Sequence, residues 1–517
     1  MSTSTALRAA VVAITGALLS TVLAGTAPHG VADSQVLPGI SRSTAARATC
    51  GPDAAPETGL QGDVPAEDRE NGRSTGGYHC NISRIGQFDG HGGGVVSGAF
   101  DSCVYIGSFF PGSFSGPAVG VQVLDVSDSA LPVLAGALTE PAMLAGTWET
   151  LKVHSDRKLL AAAGAPFLTG AGLLSIYDLT DCRHPRLLNT GAGSEVTQPL
   201  PITAHEAGFS PDGNTLWTSG TAPGLVSAVD ITDPARPHVI WQGLPGLSMH
   251  GMGFNDDGTR LYLTNNMGGM TVLDTTAVQN RTPEPVVPVV SETTWTDGWA
   301  TQHAIPVRYG DAPYLFVPDE AGSGGVKLID ISDERRPRIA NSIKLEINLP
   351  ENLDSALASS MGGSIFAYDP HYCSADRAQD PTALACAWFG SGIRVFDVRD
   401  PFQVKEIAYY NPPARKNDNA DLTNSAHKLA SVIGAPILSA GSILQALNSG
   451  DFDPGQALSS RSGQLVNGDL STDWCSSPPH WHGRQLWVSC SDNTYSTLEL
   501  DAAVYTPPAN QRTTIGS

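Results

Sequence analysis

VQVLDVSDSALP (121–132), LSIYDLTDCRHP (174–185), VSAVDITDPARP (226–237), MTVLDTTA (270–277), VKLIDISDERRP (326–337) and IRVFDVRDP (393–401) are six versions of one phrase. Each is a hydrophobic run closed by aspartate, and most continue through a short turn to proline. Recurrence of one unit at roughly 45 to 65 residues marks a repeat architecture. The runs are short, rich in Val, Ile and Leu and bounded by turn residues, so each reads as a strand. Such units cannot bury both faces alone, and stacking them into a closed ring gives a β-propeller, whose function sits at the axis.

The spacing predicts an all-β fold of seven four-stranded blades: 94–138, 146–188, 201–242, 247–290, 299–345, 365–410 and 473–500. Within units, Ser210-Pro-Asp-Gly213 and Asn255-Asp-Asp-Gly258 read as tight turns between first and second strands. The segment 80–88 resembles the strand that follows each phrase but has no unit before it. It is expected to supply the last strand of blade seven, so that the ring closes without an open edge. The propeller is expected over 78–505, with an insertion at about 413–471, which contains a short helical pattern at 435–447, and a tail at 506–517.

The first 32 residues carry Arg8 and then an apolar stretch, 9–24, ending in small residues, which reads as a signal peptide cleaved after Ala32. Cleavage after Ala27 and an uncleaved anchor are the alternatives. No second stretch is long and apolar enough to span a membrane, so no membrane span is expected after cleavage, and the polar stretch 33–77 reads as a linker or loosely ordered lead-in. Eight cysteines, all beyond the signal segment and none in a C-x-x-C pair, fit disulfides in an exported, extracytoplasmic protein. The expected pairs are Cys373 with Cys386, Cys475 with Cys490, Cys80 with Cys103 and, by remainder, Cys50 with Cys182. With 30 basic against 51 acidic residues, the net charge of −21 argues against nucleic acid as partner.

The hydrophobic-Asp phrase resembles the LVIVD repeat of bacterial and archaeal secreted or surface proteins, over about 80–501. The resemblance implies a β-propeller and transfers no reaction. The repeated carboxylates Asp125, Asp178, Asp230, Asp274, Asp330 and Asp397 could suggest calcium. They read better as Asx-turn acceptors of backbone N–H groups, because their spacing scatters them around the ring.

Aligning the first strands of the units places His205, His250 and His303 at equivalent positions in three adjacent blades. Glu149 lies at that place in blade two, with His371 and Asp473 less securely aligned in blades six and seven. Equivalent positions on inner strands form a ring around the axis, and imidazoles with carboxylates suit zinc, copper, iron or manganese. Glu149 or Glu206 could then accept a proton. Histidines that only bond backbone between blades are the plainer alternative. His480 and His482 could reach the channel mouth, although 478–482 reads more simply as a turn, and His154 is expected in an exposed turn. No nucleophile elbow, P-loop, H-E-x-x-H or EF-hand is present.

Two functions remain from the sequence. The favoured one is a secreted or cell-envelope binding module for an extracellular protein, glycan or small molecule, with a metal at the histidine ring as an option. The other is a metal-dependent hydrolase or oxidoreductase using the axial His/Glu cluster. The first is preferred here because the repeat accounts for most residues and no complete catalytic set is visible.

Overall fold

A computed structural model describes residues 34–37, 44–109, 112–114, 116–164, 173–189, 204–221, 223–359, 368–413, 422–425 and 473–509. The expected signal peptide (1–32), the helical pattern expected at 435–447 and nearly all of the expected 413–471 insertion lie outside them. Each hydrophobic-Asp phrase is the third strand of a four-stranded antiparallel blade: Val121–Asp125, Leu173–Asp178, Val226–Asp230, Gly269–Asp274, Val326–Asp330 and Ile393–Asp397. The seventh blade is His480–His482, Gln485–Cys490 and Thr494–Leu500, completed by Ile82–Phe88 from the other end of the chain. This closing strand and the count of seven blades are as the repeat predicts.

A third strand has neighbours on both sides and a blade on each face, which explains its continuous apolar run. The core is correspondingly divided into seven layers between successive blades. Leu160 and Tyr177 of blade two pack with Val123 of blade one, and Phe209 and Leu216 of blade three pack with Ile176 of blade two. The last layer sets Trp487 and Tyr495 of blade seven on Val104 and Leu124 of blade one, which closes the ring. The terminal aspartates accept the N–H two residues on, at 2.8–3.1 Å, from Ser127, Thr180, Thr232, Thr276, Ser332 and Arg399. They are Asx turns, as expected. The two predicted tight turns also form, closed by Gly213 N–H to Ser210 and Gly258 N–H to Asn255, both glycines having the positive φ of the left-handed region.

Three expectations need correction. Cys50 pairs with Cys80, and Cys103 with Cys182, rather than Cys80 with Cys103 and Cys50 with Cys182. Cys103 opens the second strand of blade one, and Cys182 lies in the turn after the third strand of blade two, so their bond ties adjacent blades. Cys80 lies beside the lead-in instead. The Cys373–Cys386 and Cys475–Cys490 pairs form as expected.

The lead-in is built onto blade six rather than loosely ordered. Tyr78–Cys80 adds a fifth strand to its outer edge, covering backbone groups that would otherwise face outward. Glu57 and Gln61 reach the buried pair Arg394–Glu406, with Gln61 Nε2 2.9 Å from Glu406 and Glu57 ion-paired to Arg394. Ser34–Leu37 pairs in parallel with the outer strand of blade four. Finally, 480–482 is a strand and not a turn: it is the inner strand of blade seven, with His480 buried and its Nε2 3.0 Å from the Ser97 carbonyl. His154 ends the inner strand of blade two, its ring against Phe209 and the Pro211 carbonyl.

Candidate metal centre

Inner strands meet around the axis, so a side chain at the start of one lies beside its counterparts on the next. Glu149, just before the inner strand of blade two, shares a parallel bridge with Glu206, the first residue of the inner strand of blade three. His205 stands beside Glu206, and His250 is the second residue of Met249–Phe254 in blade four. Their Nε2 atoms lie 2.9 Å apart, and Glu149 Oε2 is 3.4 Å from the first and 3.7 Å from the second. On the far side of Glu149, His371 Nε2 lies 3.1 Å from Oε1. Glu320 completes the group, its Oε1 3.5 Å from His250 Nε2 and its Oε2 2.9 Å from His371 Nε2.

Two rings have a fixed orientation. His250 Nδ1 is 2.9 Å from the Thr301 carbonyl, and His371 Nδ1 is 2.7 Å from the Ser476 carbonyl. A carbonyl only accepts, so both Nδ1 atoms carry hydrogen, and in the neutral ring each Nε2 points its lone pair inward. Thr301 is held in turn by its Oγ1 bond to Asp319, 2.6 Å, and Asp319 is paired with buried Lys327. Such outer partners fix the tautomer and direction of metal-binding histidines.

Electrostatics follow from burial. Glu149, His250 and His371 are no more than 3% exposed, and only His205 keeps a substantial opening, with 20% of its side chain exposed. Burial works to raise Glu149, but His205, His371 and His250 hold it well below the usual carboxylate range. His205 is lowered to about 4, first by burial, with Glu149 opposing. Burial also pulls His371 down, yet Glu149 and Glu320 together lift it to about 10. The pocket between His371 and the two carboxylates therefore favours positive charge.

A second layer adjoins. Gln302 donates to Glu149 Oε2 at 3.0 Å and to Glu206 Oε2 at 3.2 Å. Lys152 Nζ lies 2.5 Å from Glu206 Oε1 and 3.2 Å from the Tyr372 hydroxyl, which donates to Glu206. Burial raises Glu206, with Lys152 opposing. Trp148 and Phe389 flank the cluster, one beside His205 and one beside His371. Both have positive φ, 48° and 37°. A bulky residue held there costs roughly 1–3 kcal/mol, strain that concentrates at functional sites.

Of the residues singled out in the sequence, Glu149, His205, His250 and His371 converge. His303 and Asp473 do not join them. In a strand-like stretch successive side chains alternate sides, and in blade five Gln302 takes the inward place. His303 turns outward, with Nδ1 2.5 Å from Gln302 Oε1 and Nε2 3.2 Å from the Cys373 carbonyl. Asp473 precedes the true inner strand of blade seven by several residues and ties its loop instead, accepting N–H bonds from Asp492 and Asn493. The sequence reading missed Glu320, Gln302, Lys152 and Tyr372. For Glu320 a signal existed: consecutive carboxylates, Asp319 and Glu320, end the otherwise apolar strand Ala312–Ala321.

The donor atoms fall into two groups, Glu149 with His205 and His250, and Glu149 with Glu320 and His371, each within 4.8 Å. Nitrogen and oxygen donors about 2.0–2.2 Å from one ion lie roughly 3.0–3.6 Å apart along tetrahedral or octahedral edges. The observed 2.9–3.7 Å separations fit that range.

No protein-family model and no curated protein matches the chain. Among solved structures, a candidate 6-phosphogluconolactonase of Bacteroides uniformis is 14% identical, aligned over 61% of this chain and 84% of its own, with a TM-score of 0.43. A functionally unknown protein from Desulfotomaculum acetoxidans is 12% identical over 62% and 89%, with a TM-score of 0.42. The periplasmic gluconolactonase of Pseudomonas aeruginosa is 16% identical over 58% and 80%, with a TM-score of 0.40. These likenesses carry no argument about what the chain does.

Proposed function

We propose that the axial cluster is a transition-metal centre and that the protein is an exported metal-dependent hydrolase of the LVIVD-repeat type. One observation carries the reading: the Nε2 atoms of His205, His250 and His371 each lie 2.9–3.7 Å from an oxygen of Glu149 or Glu320, two of the rings being locked by Nδ1–H bonds to carbonyls. A donor set of imidazole and carboxylate suits zinc, iron or manganese. A bound ion of this kind lowers the pKa of coordinated water and polarises an acyl or phosphoryl oxygen. Next to it, Glu206, with Lys152 and Tyr372, forms a buried set able to take up and return a proton. The half-open His205 side, beside Trp148, is the way in for a small substrate.

The recognition-module expectation rested on the lack of a complete constellation in the sequence. Glu320, Gln302, Lys152 and Tyr372 supply what it lacked. Export is supported by four disulfides that use all eight cysteines, which suits an oxidising compartment. Among the described residues no helix is long and apolar enough to cross a membrane. The repeat type is supported by the six phrases, each forming the same strand and Asx turn.

The test is elemental analysis of the purified mature protein beside a His205→Ala/His250→Ala/His371→Ala variant, with hydrolysis of a panel of esters, lactones and phosphoesters before and after chelation. A near-stoichiometric transition metal that the variant lacks, and a hydrolytic activity that chelation removes, are expected. A wild type that stays metal-free after incubation with zinc, copper, iron and manganese overturns the proposal.

A further inference from the structure

We infer that the axial centre holds two divalent ions, bridged by Glu149; the inference rests on the metal reading above and specifies its nuclearity. Each carboxylate divides its oxygens between different histidines. Glu149 gives Oε2 to His205 and His250, at 3.4 and 3.7 Å, and Oε1 to His371, at 3.1 Å. Glu320 gives Oε1 to His250, at 3.5 Å, and Oε2 to His371, at 2.9 Å. A carboxylate chelating a single ion would turn both oxygens toward the same set of nitrogens. Glu149 alone belongs to both donor groups, and its divided oxygens describe a bridge between them.

The donors divide accordingly. One ion takes His205 Nε2, His250 Nε2 and Glu149 Oε2. The other takes His371 Nε2, Glu149 Oε1 and Glu320 Oε2, three donors that leave positions for water or substrate. A carboxylate bridging in this manner spaces its ions by about 3.5–4 Å, the separation typical of two-metal hydrolytic sites.

Charge favours the pair as well. The neighbouring acids are already matched, Glu206 by Lys152 and Asp319 by Lys327, so Glu149 and Glu320 are left to face the imidazoles. Two dications exceed their charge by two, which a bridging hydroxide and an anionic oxygen of the substrate would balance. A two-ion centre thus takes an oxyanion-bearing substrate, such as a phosphoester, in preference to a neutral one.

The experiment loads the mature wild-type protein with zinc, removes excess by gel filtration and counts zinc per chain. A parallel sample loaded with manganese is read by electron paramagnetic resonance. Two zinc per chain and an exchange-coupled manganese signal are expected, falling to one zinc and an uncoupled six-line signal in Glu320→Gln. One zinc per chain in the wild type, with an uncoupled signal, overturns the two-ion inference and leaves the metal reading standing. No zinc at all overturns both. The wild-type count and spectrum decide the matter even if Glu320→Gln fails to fold.

Discussion

Replacing Gln302 with leucine should weaken metal binding without removing a single donor. Gln302 is fully buried, and its amide donates to both Glu149 and Glu206, at 3.0 and 3.2 Å. Its carbonyl oxygen is engaged by His303. Leucine is of similar volume, so the change takes away the amide and leaves the packing. Hydrogen bonds from outer residues to metal ligands are typically worth 10–100-fold in affinity, or about 1.4–2.7 kcal/mol. Glu149 retains His371 and Glu206 retains Lys152 and Tyr372, so neither carboxylate is stranded. The loss to the fold should therefore stay near the low end of the roughly 1.5–3 kcal/mol that a hydrogen bond to a charged group contributes. Zinc competition against a chromogenic chelator measures the affinity, and urea unfolding of the metal-free protein measures the fold. A variant that unfolds like the wild type and binds zinc within twofold of it would refute the view that Gln302 holds Glu149 in place for the ion.

Two further outcomes follow from features away from the axis. The Cys103–Cys182 bond spans 79 residues and its loop overlaps no other disulfide loop; chain entropy assigns it about 4.5 kcal/mol, against about 3 for the 13-residue Cys373–Cys386 loop. Urea unfolding of Cys103→Ser/Cys182→Ser and Cys373→Ser/Cys386→Ser should show the larger loss in the first, and equal losses would show that the blade-to-blade tie is not what matters. Asp125 is held down to about 2, first by Arg183, with burial opposing and the Ser127 N–H helping. A lowered carboxylate adds stability above its unfolded pKa of about 3.9 and loses it as pH falls toward 2. Since Arg183 is 44% exposed, solvent and salt screen the pair and keep its worth small. Asp125→Asn should thus be slightly weaker than wild type at pH 7, with the gap closing between pH 4 and pH 2; a gap constant over that range would sink the assignment.

The fold was legible because the features that encode it are local and repeated. A run such as Val226–Asp230 carries its own strand signal, its own stop and its own turn, and six copies fix the period. Even the closing strand could be seen, since Ile82–Phe88 looks like a fourth strand without a blade. The corrections concern what local signals cannot carry. Cys80 and Cys103 flank glycine-rich sequence and look like partners, yet Cys80 follows the lead-in onto blade six and Cys103 faces the turn of blade two. The order of attachment in three dimensions, which no spacing reports, decides that pairing. The lead-in itself reads as polar and loose because its anchors are a few buried side chains, such as Glu57 meeting Arg394, in an otherwise hydrophilic stretch.

At the axis the same logic separates what could be read from what could not. Repeat alignment finds residues that share a strand position, and it found Glu149, His205, His250 and His371. It mistook His303 because equivalence of position along a strand does not guarantee equivalence of contacts: blade five breaks its inner strand between Trp299–Thr301 and Ile305–Tyr309, and Ala300 has the positive φ of 50° there. In that break Gln302 reaches Glu149 and Glu206 while His303 bonds Gln302 and the Cys373 carbonyl. Glu320 comes to the cluster from the second strand of the same blade, where no inner-strand alignment would look. The irregular blade therefore supplies Glu320 to the cluster. In this chain the departure from the repeat is marked by an acidic pair, Asp319 and Glu320, at the end of an otherwise apolar strand, the kind of local inconsistency expected at functional sites.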